Sequence, residues 1–239
     1  MSRVPLVVIR PEPGNAATLA AASALGLIAH GEPLFRIVAT AWEPPLAAEF
    51  DAVLIGSANA LRHGGKATAR YTGLPAYVVG QATAEAARHA GFRVAATGSG
   101  GLQNLTAHLA RDGRKRVLRL AGTEHVALDA PSGTAITTVV VYQAESLRLR
   151  PACAALLAHG AVVLLHSAAA ACQFSAECQR LAIARRSIVL ACLGPRIAVA
   201  AGDGWASVAS AKRPDDTALL ALAARMCQTA RVGDTDDNN

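Results

Sequence analysis

Serine, glycine and arginine stand at the ends of apolar runs in this chain, and at matching places. Ser57 and Ala58 follow DAVLIG, and Ser167 and Ala168 follow AVVLLH. Gly80, Gln81 and Thr83 come just after PAYVV, and Gly194, Pro195 and Arg196 just after IVLACL. Arg10 closes the opening run LVVIR. Such residues bind anions: small side chains let a ligand approach backbone amides, and arginine forks onto a carboxylate. Each turn also opens a helical pattern, where a Ser or Thr taken singly is explained as an N-cap. Four of them in two matched pairs are read together as anion cradles at strand carboxyl ends, where doubly wound sheets place their ligands. Arg10 and Arg196 are candidate carboxylate clamps, with a solvated arginine after a strand as the competing reading.

Other chemistries fit poorly. Gly64-Gly65-Lys66-Ala67 hints at a phosphate loop, but residue 60 is Ala, and no Ser or Thr follows the lysine directly. Gly98-Ser99-Gly100-Gly101 lacks dinucleotide spacing, and Gly56-Ser57 lacks the intervening residue of a nucleophile elbow. His166 beside Ser167 suggests a dyad, yet neighbouring strand residues point to opposite faces. None of the seven histidines has metal-ligand spacing. The five cysteines, 153, 172, 178, 192 and 227, lack CxxC spacing and are read as reduced thiols. No acid–base couple stands out, so any catalysis must be easy or rest on the substrate's own reactivity.

The elements that hold these residues repeat. The Ser57 and Gly80 units, FDAVLIGSANAL and PAYVVGQATAEAA, match the Ser167 and Gly194 units, GAVVLLHSAAAA and IVLACLGPRIAVAA. A third pair begins with strands near Arg10 and Arg119. Each member passes through a helical stretch to a glycine, Gly26 or Gly133, and closes on a β-branched run. The Arg10 unit opens the chain whereas the Arg119 unit follows Gly80, so lobes with one unit of each kind cannot be sequential. The economical solution is a discontinuous lobe, 1–36 with 147–239, and an inserted lobe, 40–142. Two linking strands, 34–42 and 137–146, then cross between them, permitting closure on a ligand in the gap.

Composition agrees. The chain has 239 residues, 52% of them hydrophobic, enough for two cores with parallel sheets covered on both faces. No apolar run is long enough for a bilayer, since His166 and Pro195-Arg196 interrupt the best candidates. MSRVPLVVIR enters a strand directly, without a secretory pattern, so a cytoplasmic location is expected. The polar tail, 231–239, is expected to be disordered. A formal charge of +6 favours an anionic partner. Arg111, Arg114, Lys115, Arg116 and Arg119 are the best local support for nucleic acid, but aromatics are only 4% and no recognition motif is present. A small polycarboxylate or phosphate ester fits better.

The ordered set VIRPEPG, DAVLIGSANAL, VVGQATAEAARHAGF, VVVYQA, LLHSAAAA and LGPRIAVAAGDG resembles the uroporphyrinogen-III synthases, from about Val4 to about Met226. The resemblance implies an α/β fold of two similar flavodoxin-like lobes, parallel sheets flanked by helices, joined by a two-stranded β linker. It implies that hydroxymethylbilane, a linear tetrapyrrole with eight carboxylates, loses its hydroxyl and closes with the last ring inverted, through an azafulvene cation and a spiro intermediate. No cofactor or metal is expected. The partner is a small-molecule substrate, not nucleic acid or membrane, and the chain is expected to be a monomer. A transient contact with hydroxymethylbilane synthase would suit the unstable bilane, but no residue argues for it.

The resemblance also implies roles. Tyr142, in VVVYQA, matches the family tyrosine at the second crossing and would donate a proton or hydrogen bond to the departing hydroxyl; a strand aromatic bracing the hinge is the alternative. Ser57, Thr83 and Ser167 match positions expected to hydrogen-bond carboxylates and pyrroles. Where the family often has GxTTA, this chain has Gly194-Pro195-Arg196-Ile197, so Arg196 is expected to replace neutral hydrogen bonds with an ion pair to an acetate or propionate. Two other readings stay open: a two-lobed anion-binding or regulatory protein, and a catalytically inactive synthase-like domain.

Overall fold

The computed structural model describes residues 4–232. Of the expected tail, residues 233–239 lie outside the described residues, while 231–232 close the last helix. Along the chain, β1 (Leu6–Val8) leads to α1 (Gly14–Ala24), β2 (Ala29–Gly31) and β3 (Phe35–Ala39). Then come β4 (Ala52–Ile55), α2 (Ala58–His63), β5 (Ala76–Val79), α3 (Gln81–His89), β6 (Val94–Gly98) and α4 (Gln103–Arg111). The strands β7 (Arg116–Gly122) and β8 (Ala135–Ser146) precede α5 (Pro151–Ala158), β9 (Ala161–Leu165) and α6 (Ala168–Arg180). The chain closes with β10 (Ile188–Cys192), α7 (Pro195–Ala201), β11 (Ser207–Ser210) and α8 (Asp216–Val232). These elements divide into two compact units, Met1–Arg36 with Ser146–Asn239, and Ile37–Glu145. The chain therefore passes from one unit to the other within β3 and again at the end of β8.

The discontinuous unit holds a five-stranded sheet in the order β11-β10-β9-β1-β2, with each neighbouring pair parallel. Counted along the chain within the unit, this is the doubly wound order 2-1-3-4-5. The inserted unit has the order β3-β8-β7-β4-β5-β6, parallel from β8 to β6. Equating β7 and β8 with β1 and β2, and β4, β5 and β6 with β9, β10 and β11, gives the same order, circularly offset. Parallel strands covered on both faces are apolar throughout, as in AVLI of β4 and AVVLL of β9, whose residues are almost wholly buried. Each such Val, Leu or Ile contributes about 1.5–3 kcal/mol on burial. At one edge, Thr40 N–H donates to the Val141 carbonyl and Leu147 N–H to the Leu34 carbonyl, so β3 runs antiparallel to β8.

The units differ on one face. In the discontinuous unit, Leu6, Val8, Val162 and Leu164 are covered by α1 and α8, through Leu19, Ala22, Leu219, Leu220 and Ala223. In the inserted unit, the equivalent face, Ala52, Leu54 and Val117, meets Leu105 and Leu109 of α4. The helix expected between Arg119 and Gly133 is not formed: residues 123–134 are an irregular crossover. Pro131 disfavours helix at Ala130, and the stretch before it is too short to nucleate one. Gln103 holds this crossover instead, its Nε2 donating to the Asp129 carbonyl at 3.1 Å and its Oε1 accepting the Asp129 N–H at 3.0 Å.

Within the basic cluster near residues 111–116, the Arg114 side chain is built into the fold, whereas those of Arg111, Lys115 and Arg116 are exposed. Arg114 Nε donates to Tyr77 Oη, which donates to Asp112, and Asp51 accepts the N–H groups of Lys115 and Arg116. Cys153, Cys178, Cys192 and Cys227 are buried and Cys172 is exposed, all as free thiols. Burial pushes the Cys153 and Cys178 thiols up to about 12, so neither is a ready nucleophile. Among the described residues, no helix is long and apolar enough to cross a membrane.

Candidate functional site

In a doubly wound sheet, the crevice opens where strand order reverses, beyond the carboxyl ends of the strands on either side. In the inserted unit, that point lies between β4 and β7. A cavity of about 540 Å³ occupies it, lined among others by Gly56 and Ser57 after β4, Arg119 and Gly122 from β7, Leu102 before α4, and Tyr142 from β8. Ser57 is extended and its Oγ accepts the Asn59 N–H at 3.2 Å, so it caps α2 while facing the cavity. Tyr142 stands opposite Gly122 at a register shift between β7 and β8. A Cβ at Gly122 would lie 2.6 Å from Tyr142 Cε2 and Cζ, so only glycine lets the ring sit there. Among the described residues, the Tyr142 hydroxyl has no hydrogen-bond partner.

Arg119 is the unexpected member. It pairs with Leu54, whereas Val8 pairs with the matching Leu164. Arg119 is therefore level with Val8 and not with Arg10, two residues deeper along its strand, or about 7 Å at strand rise. It is 4% exposed. Its Nη1 donates to the Val126 carbonyl at 2.8 Å, and its buried Nε has no partner. Burial pushes its pKa down, with the nearby Tyr142 acting the other way. Among the described residues, no carboxylate makes an ion pair with it.

At the matching point of the discontinuous unit, beyond β1 and β9, lies an internal charge cluster. Arg10 Nη1 donates to Asp216 Oδ1 and Oδ2 at 3.0 and 2.8 Å. Thr18 Oγ1 donates to Asp216 Oδ2 at 2.7 Å, and His166 Nε2 lies 3.2 Å from Oδ1. Asp216 opens α8, where the helix dipole also favours an acid. The close approach of His166, then Thr18 and Arg10, hold its carboxyl down to about 2 against the opposing effect of burial. A depressed folded-state value means a contribution that is full above the unfolded value, about 3.9, and lost as pH falls through about 2. Asp216→Asn is expected to lower stability by about 1 kcal/mol at pH 7, since both Arg10 and Asp216 are partly solvated. The gap between the urea midpoints of wild type and variant should close between pH 4 and pH 2, and a gap that persists at pH 2 would contradict this assignment.

The remaining expected residues are spread over both units. Ala58 is the buried first residue of α2. Gly80 has φ +79, which requires glycine, and stands just before α3, followed by exposed Gln81 and buried Thr83; none of the three lines the cavity. Ser167 Oγ accepts the Ala170 N–H at 3.1 Å and caps α6, whose first residue is exposed Ala168. With His166 beside Asp216 and Ser167 capping a helix, no dyad forms. Gly194 precedes α7, Pro195 is its first residue, and both Pro195 and Arg196 are exposed. Arg10 was expected as a carboxylate clamp, and the carboxylate it meets here is the chain's own Asp216. Of the expected residues, then, Ser57 and Tyr142 share the cavity, and Arg119, marked in the sequence only by the repeat and the basic cluster, joins them.

Against this geometry stand the comparisons. The family described as Uroporphyrinogen-III synthase HemD matches residues 16–221. A solved uroporphyrinogen-III synthetase from Helicobacter pylori superposes with a TM-score of 0.65 at 17% identity, over 93% of this chain and 99% of that one. A mutant uroporphyrinogen III synthase from the extremely thermophilic bacterium Thermus thermophilus superposes with a TM-score of 0.52 at 15% identity, over 95% of this chain and 99% of that one. No individual protein of curated function matches by sequence. At such identities the solved structures speak for the α/β fold. The family match, which covers most of the chain and spans both Ser57 and Tyr142, says more: the chain belongs to the uroporphyrinogen-III synthase family.

Proposed function

We propose that this chain is a carbon–oxygen lyase of the cyclising hydro-lyase kind, which converts hydroxymethylbilane to uroporphyrinogen III without a cofactor. One water leaves for each ring closed. The electron-rich pyrrole nitrogen expels the terminal hydroxyl, which needs a proton to depart, and the last ring inverts before the carbon–carbon bond closes the macrocycle. Little acid–base machinery is required, in keeping with a sequence that offers no catalytic couple. Holding the reacting ends together can supply several kcal/mol, about 7–11 in the best-oriented intramolecular cases. Carboxylates remote from the reacting carbons are handles through which binding energy can impose the inversion.

The observation that carries this reading is a match to the synthase family over residues 16–221, in a chain whose Ser57 and Tyr142 open on one cavity. In this reading Tyr142 protonates or hydrogen-bonds the departing hydroxyl. Ser57, Ala58, Gly80, Gln81, Thr83, Ser167, Ala168 and Gly194 offer hydroxyl, amide or main-chain donors to the substrate. Pro195, which has no N–H, offers it only packing, and exposed Arg196 meets an acetate or propionate. The protein acts as a cytoplasmic monomer. Fresh hydroxymethylbilane, incubated with the protein and then oxidised, should yield type III isomer above a control without protein. Type I alone, at the control rate, would leave the non-catalytic anion-binding reading in its place.

A further inference from the structure

We propose that Arg119 binds one carboxylate of the ligand in the cavity of the inserted unit. The proposal deepens the synthase reading, which supplies the identity of the polycarboxylate, but the carboxylate site itself stands on geometry. A guanidinium offers five N–H donors and cannot shed its charge. Arg119 commits Nη1 to Val126, while its buried Nε is unmatched. A buried charge without a counterion is costly, so a site built this way is completed by an anion from outside.

The other unit gives the contrast. There, an arginine that follows the matching strand is neutralised by Asp216 at the start of α8, with Thr18 of α1 hydrogen-bonded to both. In the inserted unit, α4 opens on Gln103 instead of an acid, and the crossover 123–134 replaces the helix that would supply a second partner. Gln103 is engaged with Asp129. Glu124 lines the rim but is exposed and makes no ion pair with Arg119. The first unit thus supplies its arginine with an internal carboxylate, whereas the second leaves a deeper cation without one beside an open cavity. The walls are largely apolar, with Val79, Leu102, Leu120 and Leu128 among them. A planar fork in a largely apolar pocket fits a carboxylate on a hydrocarbon arm.

The test uses succinate, its neutral analogue succinamide, and inorganic phosphate. The Arg119 Nε–H resonance of the wild-type protein, assigned by its loss in Arg119→Lys, should shift saturably with succinate and stay fixed with succinamide. In Arg119→Met, the Michaelis constant for hydroxymethylbilane should rise at least about tenfold, the loss expected for a charge-assisted hydrogen bond. Its kcat should change much less and its melting temperature should hold or rise, because an apolar group of similar size replaces an unpaired buried charge. No shift with succinate, an equal shift with succinamide, or an unchanged Michaelis constant would overturn the proposal, and a phosphate response as strong as that of succinate would overturn the carboxylate assignment. If Arg119→Met does not fold, the wild-type titration decides. A chain that binds succinate at Arg119 but forms no type III product would sink the synthase reading and keep this one.

Discussion

Tyr142→Phe is expected to lower kcat for type III formation by about 100-fold, with the Michaelis constant near the wild-type value. That loss is at the low end of what a positioned general acid contributes, because the pyrrole nitrogen does much of the work of expelling the hydroxyl. The substitution is clean because the ring carries most of the packing and the hydroxyl makes no hydrogen bond among the described residues. Tyr142 packs beside the core of Val53, Ile55 and Leu120, and its face rests on Gly122, where a Cβ would lie 2.6 Å from Cε2. Phenylalanine keeps all of that and removes only the oxygen. Gly122→Ala tests the same role from the other side: the added methyl must push the ring away, and most of the kcat loss should reappear with the hydroxyl still present. Steady-state rates from pH 6 to 8, with isomers separated after oxidation, measure both variants. Tyr142→Phe turning over at the wild-type rate across that range would end the proton-donor role and leave Tyr142 as a brace on β8.

The repeat was legible because each of its parts is written in local chemistry. An apolar run long enough for a strand, then a small residue, then an alanine-rich helical pattern is a strand–turn–helix wherever it occurs, and its circular offset appears again in the two strand orders. Even so, the reading failed at residues 123–134, where the repeat suggested a helix and Pro131 stood against it. Nothing local signals that an irregular crossover there would uncover a cavity, because the cavity exists only in relation to α4. Arg119 was visible as a strand arginine, but its depth depends on register with Leu54, and a shift of two residues changes a half-solvated clamp into a buried cation. Asp216 was invisible for the opposite reason: no sequence pattern links it to Arg10, 206 residues away. Pairings of buried charges are set by topology, so they come into view only once the strands are in order.

Glu177→Ala is expected to cost about 3 kcal/mol, the low end of what breaking a buried ion pair removes, because Arg180 stays partly in water. Where the chain re-enters the discontinuous unit after β8, Arg150 is extended ahead of Pro151, which begins α5. Extended backbone here leaves two consecutive N–H groups, those of Leu149 and Arg150, without helical acceptors. Buried carboxylates meet both. Glu177 Oε2 accepts from Leu149 N–H at 2.7 Å, and Glu32 Oε1 accepts from Arg150 N–H at 2.7 Å. Glu177 is 5% exposed and is itself held by Arg180, through Nε at 2.9 Å and Nη2 at 2.6 Å. Alanine leaves the Leu149 N–H buried and unmatched, and Arg180 without its partner. Glutamine keeps an acceptor for Leu149 but loses the charge and turns an NH2 donor toward the Arg180 Nε–H, so Glu177→Gln should cost about 2 kcal/mol, less than alanine. The Arg180 hydrogen bonds hold the Glu177 carboxyl below the usual glutamate range, so its contribution is complete above about pH 4.3 and fades as pH falls through the lower folded-state value. Urea midpoints of wild type and Glu177→Ala should therefore stand well apart at pH 7 and converge in acid. Equal midpoints at pH 7 would mean that Leu149 finds another acceptor and that this re-entry segment does not depend on the α6 carboxylate.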